Sequence, residues 1–149
     1  MSIFSSNSKK TGKTCTVIVG CGRLGANIAD SLSEAGKDVV IIDSNSDSFR
    51  KLSPMFGGMK ITGDATEMLV FNDLDMKNVS SVIAVTNHDN TNIMVAQIAR
   101  EMFHIDKVIA RLYDPARECV YRELGIDTIC PVILSTNEVD NLLFGGTTA

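Results

Sequence analysis

Gly20-Cys21-Gly22-Arg23-Leu24-Gly25 is the segment whose residue types and spacing speak most directly to chemistry. It follows a short β-branched run and opens a helix-length stretch, the context in which a glycine triad receives a pyrophosphate. Gly20 permits the tight turn, Gly22 lets the backbone approach phosphate without a Cβ in the way, and Gly25 lets the helix pack closely on the strand. Backbone amides between Val19 and Ala26, those of Cys21 and Leu24 included, then form a cradle at a helix N-terminus, where the dipole favours an anion. A strand-to-helix turn with no ligand is the plain alternative. Arg23 argues against it, because a cation in the first turn opposes the dipole by about 0.3–1 kcal/mol unless an anion is bound.

Asp43 stands at the end of the second β-branched run, about 20 residues past the glycines, where a carboxylate accepts hydrogen bonds from ribose hydroxyls. Ser44 adjoins it on the same side of the candidate site and, with Asp47, reads as a capping box for the next helix. A carboxylate there repels a 2′-phosphate, and no Arg follows until Arg50, so NAD, ATP, ADP or AMP are favoured over NADP. Gly63-Asp64-Ala65-Thr66 and Thr86-Asn87-His88-Asp89 follow the third and fourth runs, at the strand ends where such a fold binds ligands. On local grounds alone, Thr66 and Asp89 are helix N-caps and Gly63 is a turn residue.

These segments need a scaffold that brings strand ends together. Short runs at Thr16–Val19, Val39–Ile42, Met59–Thr62, Val82–Val85, Val108–Ala110 and Thr128–Ile129 alternate with helix-length spacers, the pattern of parallel βαβ units. Several are apolar throughout, as when helices cover both faces of a sheet. The expected fold is α/β: a doubly wound, Rossmann-like three-layer sandwich with a six-stranded parallel sheet. Leu24, Ile28, Leu32 and Ala35 form the core stripe of the first helix, with Gly36 as its terminator. Ser135 with Glu138 reads as a further capping box, and Asp114-Pro115 as an N-cap followed by proline at the first helical position. The spacer Asn90–Phe103 is apolar around much of its circumference, so it either meets another subunit or is buried wholly in its own domain.

Composition sets outer limits. With 149 residues, 44% hydrophobic and 21% charged, the chain reads as one globular domain able to bury a core. A net charge of −4 with scattered Lys and Arg argues against nucleic acid as a partner. Cys15, Cys21, Cys119 and Cys130 show no metal-ligand spacing with His88 or His104, which suggests reduced, buried thiols in a cytosolic protein. No apolar stretch reaches the roughly 20 residues that span a bilayer, so no direct membrane insertion is expected. Residues 1–13 read as a flexible N-terminal arm, 14–140 as the nucleotide-binding domain, and 141–149 as the tail of the last helix.

Taken together, Val-Ile-Val-Gly-Cys-Gly-Arg-Leu-Gly from Val17, Ile-Asp at 42 and 43, Gly-Asp-Ala-Thr from Gly63, Val-Thr-Asn from Val85 and Ile-Ala-Arg-Leu-Tyr-Asp-Pro from Ile109 resemble the RCK_N (KTN, TrkA N-terminal) domains that regulate potassium channels and transporters. The resemblance covers about Thr14 to Val139. It implies a cytoplasmic gating module at the inner face of the membrane that binds NAD(H) or ATP/ADP/AMP. It also implies a homodimer or higher ring, up to an octamer, acting on a membrane-embedded potassium channel or transporter. By position, Gly20, Gly22, Arg23 and Gly25 would hold phosphates, Asp43 the ribose, and Asp64 and Ala65 the edge of the adenine. Thr86 and Asn87 would lie beside the phosphates or the second nucleoside, with Arg111 as a further phosphate contact. His88 departs from the small or acidic residue of relatives. Pro115 stands where some relatives carry an acidic metal ligand, so no metal is expected, and the lobe that usually follows this domain is not seen. The main rival is a small NAD-dependent oxidoreductase, but Tyr113, Tyr121 and the two histidines form no evident acid–base pair, so no catalytic residue is assigned. A methyltransferase and a nucleotide-sensing transcription regulator are weaker rivals, lacking a catalytic motif and a DNA-binding element respectively.

Overall fold

The computed structural model describes residues 13–145; the proposed arm, apart from Lys13, and residues 146–149 of the proposed tail lie outside the described residues. Six parallel strands form one sheet: β1 (Cys15–Val19), β2 (Asp38–Asp43), β3 (Met59–Thr62), β4 (Val79–Ala84), β5 (Lys107–Arg111) and β6 (Asp127–Ile129). Their spatial order is β3-β2-β1-β4-β5-β6, so the chain winds outward from β1 in both directions. The expected doubly wound α/β sheet is the observed one. Ligands in such sheets bind outside the carboxyl ends where the winding reverses, here between β1 and β4.

The helices are α1 (Arg23–Glu34), α2 (Met68–Asn72), α3 (Asp89–Gln97), α4 (Glu118–Glu123) and α5 (Pro131–Phe144). Residues Ile98–Met102 continue α3 as a π-helical turn, and single 3₁₀ stretches cover Ser46–Lys51, Met76–Asn78 and Pro115–Arg117. Strand alternation divides the apolar residues between two faces. Ile18 and Ile41 pack with Ala26 and Ala29 of α1, whereas Val17, Val19, Val40 and Ile42 pack with Val95, Ala96 and Ala99 around α3. On α1 the deepest residues are Gly25, Ala26 and Ala29, with Leu24, Ile28 and Leu32 flanking them; Ala35, expected in the stripe, is exposed at the C-cap. Small side chains on this face let the helix approach the sheet closely.

Several local expectations change. Asn45, not Ser44, caps the Ser46–Lys51 stretch, its side chain accepting the Asp47 N–H at 3.0 Å. Ser135 lies inside α5, because Pro131, already held at a helical φ, starts that helix four residues earlier with Cys130 as N-cap. Glu67 and His88 occupy the N-cap positions expected for Thr66 and Asp89. Asp114 does cap, accepting the Ala116 N–H at 3.0 Å ahead of Pro115. Cys21 and Cys130 are buried, Cys15 is half-buried, and Cys119 is exposed, contrary to the expectation of four buried thiols.

Candidate functional site

Strand register sets up the site. Val19 pairs with Ile42 on one side and Ala84 on the other, and Ala84 pairs with Ala110, so these positions lie level across the sheet. The next residues along each chain, Gly20, Asp43, Val85-Thr86 and Arg111, therefore emerge at one edge. Asp43 pairs with Thr62 in turn, which sets Gly63 and Asp64 beside Ser44. The edge encloses a cleft of about 660 Å³ lined by Gly20, Cys21, Gly22, Arg23, Leu24, Asp43, Ser44, Gly63, Asp64, Ala65, Thr86, Asn87 and Arg111. That volume suits an organic ligand of nucleotide size. Of the candidate residues only Gly25 stands outside the lining, one turn into α1.

The three glycines divide by cause. Gly20 has φ +107°, and a Cβ on it would lie 2.9 Å from three backbone atoms of Val85 and Thr86. At Gly25 a Cβ would lie 1.8 Å from the Gly20 carbonyl oxygen. Both are required by the fold. Gly22 has no neighbour within 4 Å of such a Cβ, which would project into open space at the N-cap of α1. No described side chain caps α1 and no acidic residue lies in its first turn, so its leading N–H groups remain for another acceptor.

Asp43 is already engaged with the turn. Its Oδ2 accepts the Cys21 N–H at 2.7 Å and its Oδ1 accepts the Asn45 N–H at 2.9 Å. Each carboxylate oxygen retains acceptor capacity, so a ribose hydroxyl can add to these bonds. Burial pushes the Cys21 thiol above its ordinary pKa and nearby Asp43 adds to the shift; the thiol faces the Ser48 carbonyl at 3.4 Å. Cys21 thus stays protonated near neutrality and contributes backbone, not a nucleophile. Asp64 closes its own turn, accepting the Thr66 hydroxyl at 2.6 Å and the Thr66 N–H at 2.9 Å, and these bonds hold its carboxyl below the usual carboxylate range.

At the opposite end, Arg111 Nη2 donates to the Thr86 carbonyl at 2.6 Å and to Asn87 Oδ1 at 2.9 Å, with the guanidinium 5.2 Å from the Tyr113 ring. Its Nε is buried without a hydrogen-bond partner among the described residues. A buried unpaired donor beside a helix N-terminus suits an anionic ligand. Asp89 is tied to the next strand end, its carboxylate accepting the Tyr113 N–H at 2.9 Å.

Ser48, Lys51, His88 and Thr91 also line the cleft and were not among the expected site residues. Lys51 could have been suspected from its place one residue beyond Arg50, itself paired with Asp47 at 3.9 Å on the surface. Asn92, buried behind Thr86, was missed as well. Among the described residues no three His, Cys, Asp or Glu side chains gather as a metal site, and no helix is long and apolar enough to cross a membrane.

A model of the TrkA-N domain matches residues 16–131, a span holding β2 through β6, all of β1 but Cys15, and the whole cleft. The chain belongs to the TrkA-N domain family. The Trk system potassium uptake protein TrkA of Streptomyces coelicolor is 41% identical over 116 residues, covering 78% of this chain and 52% of that protein. This TrkA-N domain chain spans about half the length of such curated relatives. The RCK domain of GsuK superposes with a TM-score of 0.74 at 25% identity, covering 89% of this chain and 28% of that one. The GsuK channel bound to NAD gives 0.67 at 20% identity, over 80% and 21%. The Kef CTD of Shewanella denitrificans in its AMP-bound form gives 0.73 at 18% identity, over 90% and 83%. These superpositions show a Rossmann-like α/β fold for the TrkA-N domain.

Proposed function

We propose that this chain is a nucleotide-sensing module that regulates potassium transport through a membrane partner, and that it binds an adenine nucleotide without turning it over. Gly22 carries the reading: two glycines of the turn are required by backbone contacts, while a Cβ on the third would meet no described neighbour, which leaves room for a phosphate. Gly20, Cys21, Gly22, Arg23, Leu24 and Gly25 would receive or shape the phosphate site, Asp43 and Ser44 the ribose, and Gly63, Asp64 and Ala65 the base. Thr86, Asn87 and Arg111 would meet the distal part of a longer ligand. The AMP and NAD named for the two structural neighbours support this ligand class, and the TrkA relative supports potassium uptake as the setting. The module would work on the cytoplasmic side as a homodimer or larger ring, with no resident metal.

A regulator needs ligands that distinguish its conformations. Two nucleotides sharing adenosine but differing beyond it would favour different subunit arrangements, and only that difference in affinity can gate a partner. Calorimetry with AMP, ADP, ATP, NAD and NADH tests the binding; heats from adenosine-containing ligands are expected, with affinities that differ between the mono- and dinucleotides. No binding of any of them at millimolar concentration overturns the reading. Steady oxidation of NADH with small carbonyl compounds overturns its non-catalytic part.

A further inference from the structure

The distal end of the cleft is held by a side chain that does not line it. Asn92 lies on α3 at the position preceding Val95, Ala96 and Ala99 by three, four and seven residues, and all four are buried. That spacing puts an amide on the core-facing stripe, where it costs stability unless its polar atoms are paired. They all are. Oδ1 accepts the Thr86 N–H at 2.9 Å and the Thr86 hydroxyl at 2.7 Å, while Nδ2 donates to the carbonyls of Thr86 at 3.1 Å and Arg111 at 3.0 Å. The amide's four hydrogen-bonding sites are filled. The second lone pair of the Thr86 carbonyl takes Arg111 Nη2, the group whose Nε stays buried and unpaired.

We propose that Asn92 is a positioning residue that carries the state of the cleft's distal end into α3, so that a dinucleotide reaching Thr86 and Arg111 stiffens this helix and a mononucleotide held on the Asp43 side does not. The inference rests on the nucleotide reading above. A saturated amide cannot give up one partner and keep its place, because each bond fixes the plane that the other three share. A ligand oxygen that draws Arg111 toward itself changes the load on the Thr86 carbonyl and hence on Asn92. The helix beyond continues into the π-helical turn Ile98–Met102, a register change that a tightened α3 would shift.

Hydrogen–deuterium exchange of residues 89–102 in the purified wild-type chain, saturated in turn with NAD and with AMP, reads the coupling directly. NAD is expected to slow exchange about fivefold or more in this segment, the low end of ordinary coupling between sites, and AMP less than about twofold. In Asn92→Asp, which keeps the acceptor and loses the donor to the two carbonyls, NAD affinity is expected to fall about tenfold with AMP affinity unchanged. A merely structural Asn92 would lower stability and leave this discrimination intact. Equal protection by the two ligands in the wild-type chain, or equal losses of affinity in a folded Asn92→Asp, overturns the proposal while the nucleotide reading stands. A wild-type chain that binds neither ligand overturns both. Should the variant fail to fold, the wild-type exchange comparison decides alone.

Discussion

The two ends of the cleft are built by different means. At the β1–α1 end the work is done by backbone: Gly20 and Gly25 bring chain segments closer than any side chain allows, and Gly22 leaves a gap. At the β4–β5 end it is done by side chains, with Asn92, Thr86 and Arg111 locked in one hydrogen-bonded group. A backbone-built site tolerates no added Cβ where atoms touch. A site built from polar side chains instead loses its geometry when a single donor is removed, because an unpaired buried partner is left behind.

The glycines give the sharpest way to break that contrast. Gly25→Ala forces a Cβ to within 1.8 Å of the Gly20 carbonyl and is expected to cost about 3 kcal/mol or more, read by urea denaturation. Asp43→Ala comes next. If Asp43 receives the ribose as proposed, losing this acceptor of the Cys21 N–H should weaken AMP and NAD alike by about 1.5–3 kcal/mol, read by calorimetry, whereas Asn92→Asp should separate the two ligands. Gly22→Ala should leave stability within about 0.5 kcal/mol, since nothing meets its Cβ, yet weaken phosphate-bearing ligands and spare adenosine. A stability loss as large as that of Gly25→Ala would show that all three glycines serve the fold. Arg23→Ala should weaken phosphorylated ligands by about 0.3–1 kcal/mol and leave adenosine unaffected. Smallest in consequence, maleimide at pH 8 should label exposed Cys119 well ahead of buried Cys21, followed by mass spectrometry.

The same contrast explains what the sequence revealed. Strands and the glycine turn were readable because apolar runs and glycine spacing report backbone requirements directly. Asn92 was not, since it follows Asp89, Asn90 and Thr91 in a polar helix start that reads as solvent-facing, and only the level ends of β4 and β5 show that the Thr86 and Arg111 carbonyls need it. Lys51 escaped notice because a 3₁₀ stretch, not an α-helix, follows β2 and turns it toward the cleft while Arg50 points outward. The early start of α5 was hidden for a related reason: Cys130 caps with no side-chain hydrogen bond, so the Ser135 and Glu138 pair looked like the better signal.

One consequence concerns speed. With its two oxygens pinned by the Cys21 and Asn45 amides, Asp43 is held in one orientation within the protein itself. The ordering cost of roughly 0.5–1.5 kcal/mol for a mobile side chain is met when the chain folds and not at each encounter. Under the proposed ribose role, such a site would need no slow search by its acidic side chain when a nucleotide arrives.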